Sequence, residues 1–78
     1  MTKIGPVVKV IWHDAWCAGG WKPLEVYAEE TPVECYSVGF LVKKTRTHLT
    51  LLQTFNAAGR GTDSITIPRS WVQEVVEL

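Results

Sequence analysis

The segment Val33 to Lys44 constrains the fold more than any other stretch of this chain. It is long, rich in β-branched and aromatic residues, and reads as one extended strand. Successive side chains of a strand face opposite ways. Val33, Cys35 and Leu41 therefore fall on one face, and Tyr36, Val38, Phe40 and Val42 on the other. A strand in a flat sheet with one wet face alternates more cleanly between apolar and polar. Gly39 interrupts the run where a strongly bent strand would turn a barrel corner.

The remaining segments supply partners for such a strand. Val7 to Trp12 reads as a first strand with Val8, Val10 and Trp12 on one face, and Pro6 suits the position just before it. His48 to Phe55 reads as a third, with Leu49, Leu51 and Phe55 inward and His48, Thr50 and Thr54 outward. Ser64 to Ile67 is a short fourth strand with Ile65 and Ile67 inward. Pro68-Arg69-Ser70 forms a 3-10 turn, and Val72 to Leu78 is a last strand with Val72, Val76 and Leu78 inward. His13 to Pro32 is a long first loop, punctuated by Gly19-Gly20, Pro23 and Pro32. Within it Leu24, Val26 and Ala28 alternate with Glu25, Tyr27 and Glu29, which favours an extended arm over a helical turn. The expectation is an all-β single domain over residues 1–78. It is a small five-stranded barrel with a long first loop and a 3-10 turn before the last strand. Closure would remove exposed sheet edges.

Composition narrows the function classes. Eight Lys plus Arg balance eight Asp plus Glu, so the 78-residue chain is neither a polycation nor an acidic solvating tail. The 46% of hydrophobic residues is too high for intrinsic disorder. No apolar run is long enough to span a bilayer. The opening Met1 to Pro6 has no signal-peptide apolar core, so the expected compartment is a reducing cytoplasm with Cys17 and Cys35 as free thiols. Charge is nonetheless uneven, net −2 over residues 1–34 and net +2 over residues 35–78.

The stretch Ser64-Ile65-Thr66-Ile67-Pro68-Arg69-Ser70-Trp71-Val72 resembles the end of an SH3 domain. There a strand runs into Ile-Pro, an aromatic-bearing 3-10 turn and a short last strand, and Trp71 stands at a ligand-contacting aromatic position. Val10-Ile11-Trp12-His13-Asp14-Ala15-Trp16 is loosely similar to the aromatic–acidic motif that opens SH3 domains. The glycine-bent strand before a Leu-rich one resembles Sm-like barrels. The Ser37–Val42 strand and the "I-P-x-x-W-V" ending are also similar to small phage and prophage proteins, over roughly Glu34 to Leu78. That likeness implies a mobile-element origin and a bacterial host cell. The third strand opens His48-Leu49-Thr50, without the tryptophan that walls the SH3 proline-peptide groove.

Constellations for chemistry are sparse. His13, Cys17, Cys35 and His48 are zinc-type ligands without a C-x₂-C knuckle, so no metal or other cofactor is expected. His13, Asp14 and Cys17 lie close in sequence, but no nucleophile elbow accompanies them, and so small a chain leaves little room for a water-excluding pocket. No enzyme activity is expected. Gly59-Arg60-Gly61-Thr62 lacks the Lys-Ser/Thr and helix of a P-loop and reads first as a hairpin loop.

Two binding readings remain. Four tryptophans are many for this length, and tryptophan is enriched in binding hot spots. An SH3-like fold would bring Trp16, Trp21 and Trp71 into one aromatic surface for a host or phage protein. The alternative is an oligomeric nucleotide or nucleic-acid binder, sequestering its ligand or acting against host defence. It would use Lys43, Lys44, Arg46 and Arg60. Self-assembly through the acidic arm (Glu25, Glu29, Glu30, Glu34) and the basic turn, as in a small assembly protein, is compatible with either.

Overall fold

A computed structural model describes residues 3–15 and 19–78. Five antiparallel strands form one sheet: β1 (Val7–Asp14), β2 (Val33–Lys44), β3 (His48–Phe55), β4 (Gly61–Pro68) and β5 (Val72–Glu77). A short helix α1 (Leu24–Ala28) lies in the β1–β2 connection, and a 3-10 turn (Arg69–Trp71) precedes β5. The strand order is β4-β3-β2-β1-β5.

The twelve-residue β2 spans the residues expected and organises the sheet. Its first half pairs with β1, from Val33 opposite Asp14 to Phe40 opposite Val7. Its second half pairs with β3, from Phe40 opposite Leu52 to Lys44 opposite Leu49. The change of partner falls beside Gly39. A Cβ there would sit 3.1 Å from the Leu52 carbonyl oxygen and 3.2 Å from the Leu51 Cβ, so the close approach of β3 requires the missing side chain.

The sheet curls around one small core. Val8 and Val10 of β1, Leu49 and Leu51 of β3 and Ile67 of β4 are fully buried, with Trp12, Leu41, Val72 and Val75 packed against them. The curl stops short of closure. β4 and β5 are the two edges, and no ladder joins them among the described residues. The closed barrel expected from the strand pattern is therefore an open curled sheet; Arg69 N–H donating to the Thr47 carbonyl (2.9 Å) extends the β3–β4 ladder and Leu78 N–H to Val7 (3.0 Å) the β1–β5 ladder.

Three local expectations are corrected. Leu24–Ala28 is helical, with Val26 N–H donating to the Pro23 carbonyl. Alternation favours a strand only when one face is covered, and no residue of this segment is buried. Local preference then decides, and Leu, Glu and Ala after a proline suit a helical turn. In β5 the inward residues are Val72 and Val75, opposite Trp12 and Val10, rather than Val72, Val76 and Leu78. A bulge shifts the register between Ile11 and Trp12 and inserts Gln73, which breaks the period of two. Phe55, expected inward, is 42% exposed and packs edge-on against Phe40 at 5.0 Å.

The molecule is elongated, 55 × 21 × 21 Å, with a radius of gyration of 16.3 Å. A compact chain of this length has roughly 11 to 12 Å. The arm at residues 19–32 accounts for the shape, since every residue of it except Tyr27 is exposed.

Candidate functional site

Trp71 is set by the chain that precedes it. Pro68 ends β4 and cannot continue a ladder, the 3-10 turn follows, and the Val72 N–H closes it on the Arg69 carbonyl. The turn is held to the β2–β3 corner through Thr47. Trp71 then lies flat on Trp12, with ring centroids 6.3 Å apart and planes within 9°. Trp12 belongs to the inner face of β1, and its indole N–H donates to the Ser37 hydroxyl at 3.0 Å. The partly buried Trp12 ring thus supports the outer one, and Trp71 stays 39% exposed.

Beside Trp71 is a cleft of about 310 Å³, open to solvent and lined also by His13, Asp14, Pro32, Ser70 and Gln73. The base of the first loop and the 3-10 turn therefore meet beside Trp71. At its side His13 Nε2 lies 3.6 Å from a Glu34 oxygen, and the other Glu34 oxygen accepts from the Tyr36 hydroxyl at 2.5 Å. The Tyr36 hydrogen bond, with a smaller contribution from His13, holds the Glu34 carboxyl below its usual range. The same carboxylate raises the Tyr36 phenol above its own. Both groups are solvent-exposed, so these are adjustments of a wet surface. His13 does not pair with Asp14, whose carboxylate accepts from the Ala15 N–H.

The other tryptophans distribute differently. Trp21 is fully exposed on the arm and does not line the Trp71 cleft. Trp16 lies outside the described residues, as does Cys17. Trp12, which sequence reasoning placed only in the core, is the ring that Trp71 rests on. The strand alternation with Val8 and Val10 located it, but nothing local signalled its partner 59 residues away.

The cations divide as well. Lys43, Lys44 and Arg46 are exposed together at the β2–β3 turn, which Thr45 pins by accepting the His48 N–H (3.1 Å). Arg60 stands at the other end of β3, eight residues away in the ladder. That is roughly 25 Å at about 3.3 Å per residue. The fourth cation near the turn is Arg69, anchored on Thr47, whose Nη1 is buried without an acceptor. In the Asn56–Arg60 loop the Ala58 and Arg60 N–H groups donate to the Asn56 side chain and that of Gly59 to the Asn56 carbonyl. Gly59 takes φ 80°, so the loop uses its glycine for a turn and its amides for itself. Among the described residues no three His, Cys, Asp or Glu side chains converge as metal ligands, and no helix is long and apolar enough to cross a membrane.

Comparison with protein-family models, curated proteins and solved structures finds no match to this chain.

Proposed function

We propose that the protein is a non-catalytic binding module that holds a segment of a protein partner in the cleft beside Trp71. The observation that carries this reading is the Trp12–Trp71 stack. A large aromatic face supported from beneath and open above is how a hot-spot side chain is presented. The cleft beside it offers Pro32 for apolar contact and His13, Asp14, Ser70 and Gln73 for hydrogen bonds. The strand order and the 3-10 turn before β5 support the likeness to SH3-like and Sm-like domains, and the phage or prophage origin and bacterial cytoplasm belong to the same proposal. Trp21 acts apart from this cleft.

The test compares wild type with Trp71→Ala as bait for bacterial and phage-infected lysates, with bound proteins identified by mass spectrometry at low and high salt. Proteins captured by wild type at both salts and lost by Trp71→Ala support the reading. Identical capture by both baits refutes it.

One observation favours a second reading. The exposed Lys43, Lys44 and Arg46 share one end of the sheet with Arg69, a placement suited to a phosphate-bearing ligand. Absorbance at 260 nm that co-purifies with the protein and is released steeply by salt would transfer the function to that turn.

A further inference from the structure

We propose that the N-terminal half of β2 is a docking edge, and that an extended segment of a partner protein adds to it as a strand, with a lysine or arginine facing Asp63. The site shares no lining residue with the Trp71 cleft.

The first ground is an open edge inside the sheet. Successive residues of an antiparallel strand turn their N–H and C=O groups to opposite sides. The Leu41 N–H donates to the Pro6 carbonyl, on the β1 side. In step with it, the groups of Gly39, Ser37, Cys35 and Val33 face β1, and those of Phe40, Val38, Tyr36 and Glu34 face the other way. On that side β3 pairs Leu52 with Phe40 and follows β2 no further. A continued ladder would set Thr54 opposite Val38, but Thr54 pairs only with Thr62 of β4. The amides and carbonyls of Val38, Tyr36 and Glu34 are left without a strand. Among the described residues one side chain reaches this edge. Gln53 Nε2 stands 3.5 Å from the Val38 carbonyl oxygen, longer than an ordinary N–H···O bond.

The second ground is space. A cleft of about 430 Å³ lies along this edge, with Tyr36 and Val38 on one wall and Gln53, Asp63 and Ile65 on the other. Val38, 48% exposed, and Ile65, 37% exposed, offer apolar contact to whatever enters. The sheet's two outer edges are blunted. β4 takes φ 59° at Asp63 and ends in Pro68, and β5 carries the bulge at Gln73. From Tyr36 to Val38 the edge has no proline, bulge or charge.

The third ground identifies the occupant. Bare N–H and C=O groups at the strand repeat match another extended backbone. Among the described residues Asp63 is the one charged group lining the cleft, so the incoming strand places a cation opposite it. The open edges of a second copy do not supply one. β4 has an aspartate and β5 two glutamates, and neither has a Lys or Arg. The occupant is therefore a different protein. Its docking segment is extended and free of proline, with a basic residue among β-branched ones.

Amide exchange read by NMR tests the edge itself. In the free protein the Tyr36 and Val38 amides should exchange fast and the Ser37 amide, bonded to β1, slowly; equal protection overturns the proposal. The ligand test selects displayed short peptides of random sequence on the whole chain. Enriched peptides should carry the basic residue among β-branched ones, and adding one should slow exchange at Tyr36 and Val38. Val38→Pro removes an edge N–H and no bond to β1, and should weaken binding at least about tenfold. Asp63→Asn, which tolerates the positive φ, should weaken it about two- to fivefold. Trp71→Ala should leave it unchanged. Near-ultraviolet circular dichroism of the Trp12–Trp71 stack reports that each variant is folded. If Val38→Pro loses that signal, N-methylated peptides decide, since only methyl groups on alternate residues should block binding. No enriched peptide, or peptides that ignore the edge variants or are lost on Trp71→Ala, overturns the proposal.

Discussion

Alanine substitution at two glycines should shift stability in opposite directions, and the difference measures how tightly β2 and β3 approach. A Cβ at Gly39 would stand 3.1 Å from the Leu52 carbonyl oxygen and 3.2 Å from the Leu51 Cβ, both held by the ladder. Overpacking of this kind costs about 1 to 3 kcal/mol. Against it stands the reduced freedom of the unfolded chain, about 0.4 to 1 kcal/mol in favour of alanine. The net expectation for Gly39→Ala is a loss of about 1 kcal/mol. In a domain of this size that lowers Tm by roughly 4 to 8 °C. Gly19 has nothing within 4 Å of its would-be Cβ. Gly19→Ala should therefore keep only the favourable contribution and leave Tm level or slightly raised. Thermal melts at one fixed protein concentration, followed by far-ultraviolet circular dichroism, read both, with urea titrations converting the shifts to free energies. A Gly39→Ala protein as stable as wild type would refute the argument that the close approach of β3 requires this position to be bare.

Further outcomes follow from the same fold. Ile67→Ala empties a 0% exposed site and should cost about 2 to 5 kcal/mol, read as the fall in the urea midpoint; a smaller loss would mean the core collapses into the gap. In a Tyr27→Phe background the single remaining phenol, Tyr36, should titrate above the usual tyrosine range, and Glu34→Ala should bring it back down. The linkage runs in two directions. The lowered Glu34 carboxyl contributes stability that is present above its unfolded pKa and lost as pH falls through the folded one. The raised Tyr36 phenol contributes stability that is present below its unfolded pKa and lost as pH rises through the folded one. An absorbance titration at 295 nm unmoved by Glu34→Ala would refute the pairing. Arg69→Met should leave Tm unchanged or raise it, because it removes a buried nitrogen that has no acceptor; a clear fall would reveal a partner for that guanidinium.

Much of the fold could be read from residue order alone, for reasons that differ between strands. β2 was legible to the residue because its β-branched and aromatic content is continuous and polar turns bound it. Simple alternation turns Val8, Val10, Leu49, Leu51 and Ile67 inward, and all are buried; Ile65, expected inward on the same alternation, is 37% exposed. Alternation failed where geometry changes the count. The bulge at Gln73 exchanges Val76 for Val75, and nothing in V-Q-E-V-V-E announces it. It failed again at Leu24–Ala28, where no covering layer exists for an alternating face to serve. Closure of the sheet depends on how far it curls, a sum of small twists that no single residue declares. At the candidate site, Ile67-Pro68 followed by an aromatic residue marked the turn and Trp71. The grouping of Arg60 with Lys43, Lys44 and Arg46 dissolved because the two loops cap opposite ends of β3. Arg69 was visible as a charge, while its unpaired nitrogen is a property of packing alone.

The pairing of β1 with β5 also orders events during synthesis. Val8 lies opposite Glu77, and Val10 opposite Val75, so strands near the two ends of the sequence are neighbours in space. The β2–β3–β4 meander joins strands adjacent in sequence, so it can form before β5 finds β1. Until β5 emerges, one edge of β1 carries unpaired amides and carbonyls, and Trp12 waits for the ring that will cover it. Pairings this distant in sequence close slowly. The interval before they form is when this chain is most exposed to capture by another strand.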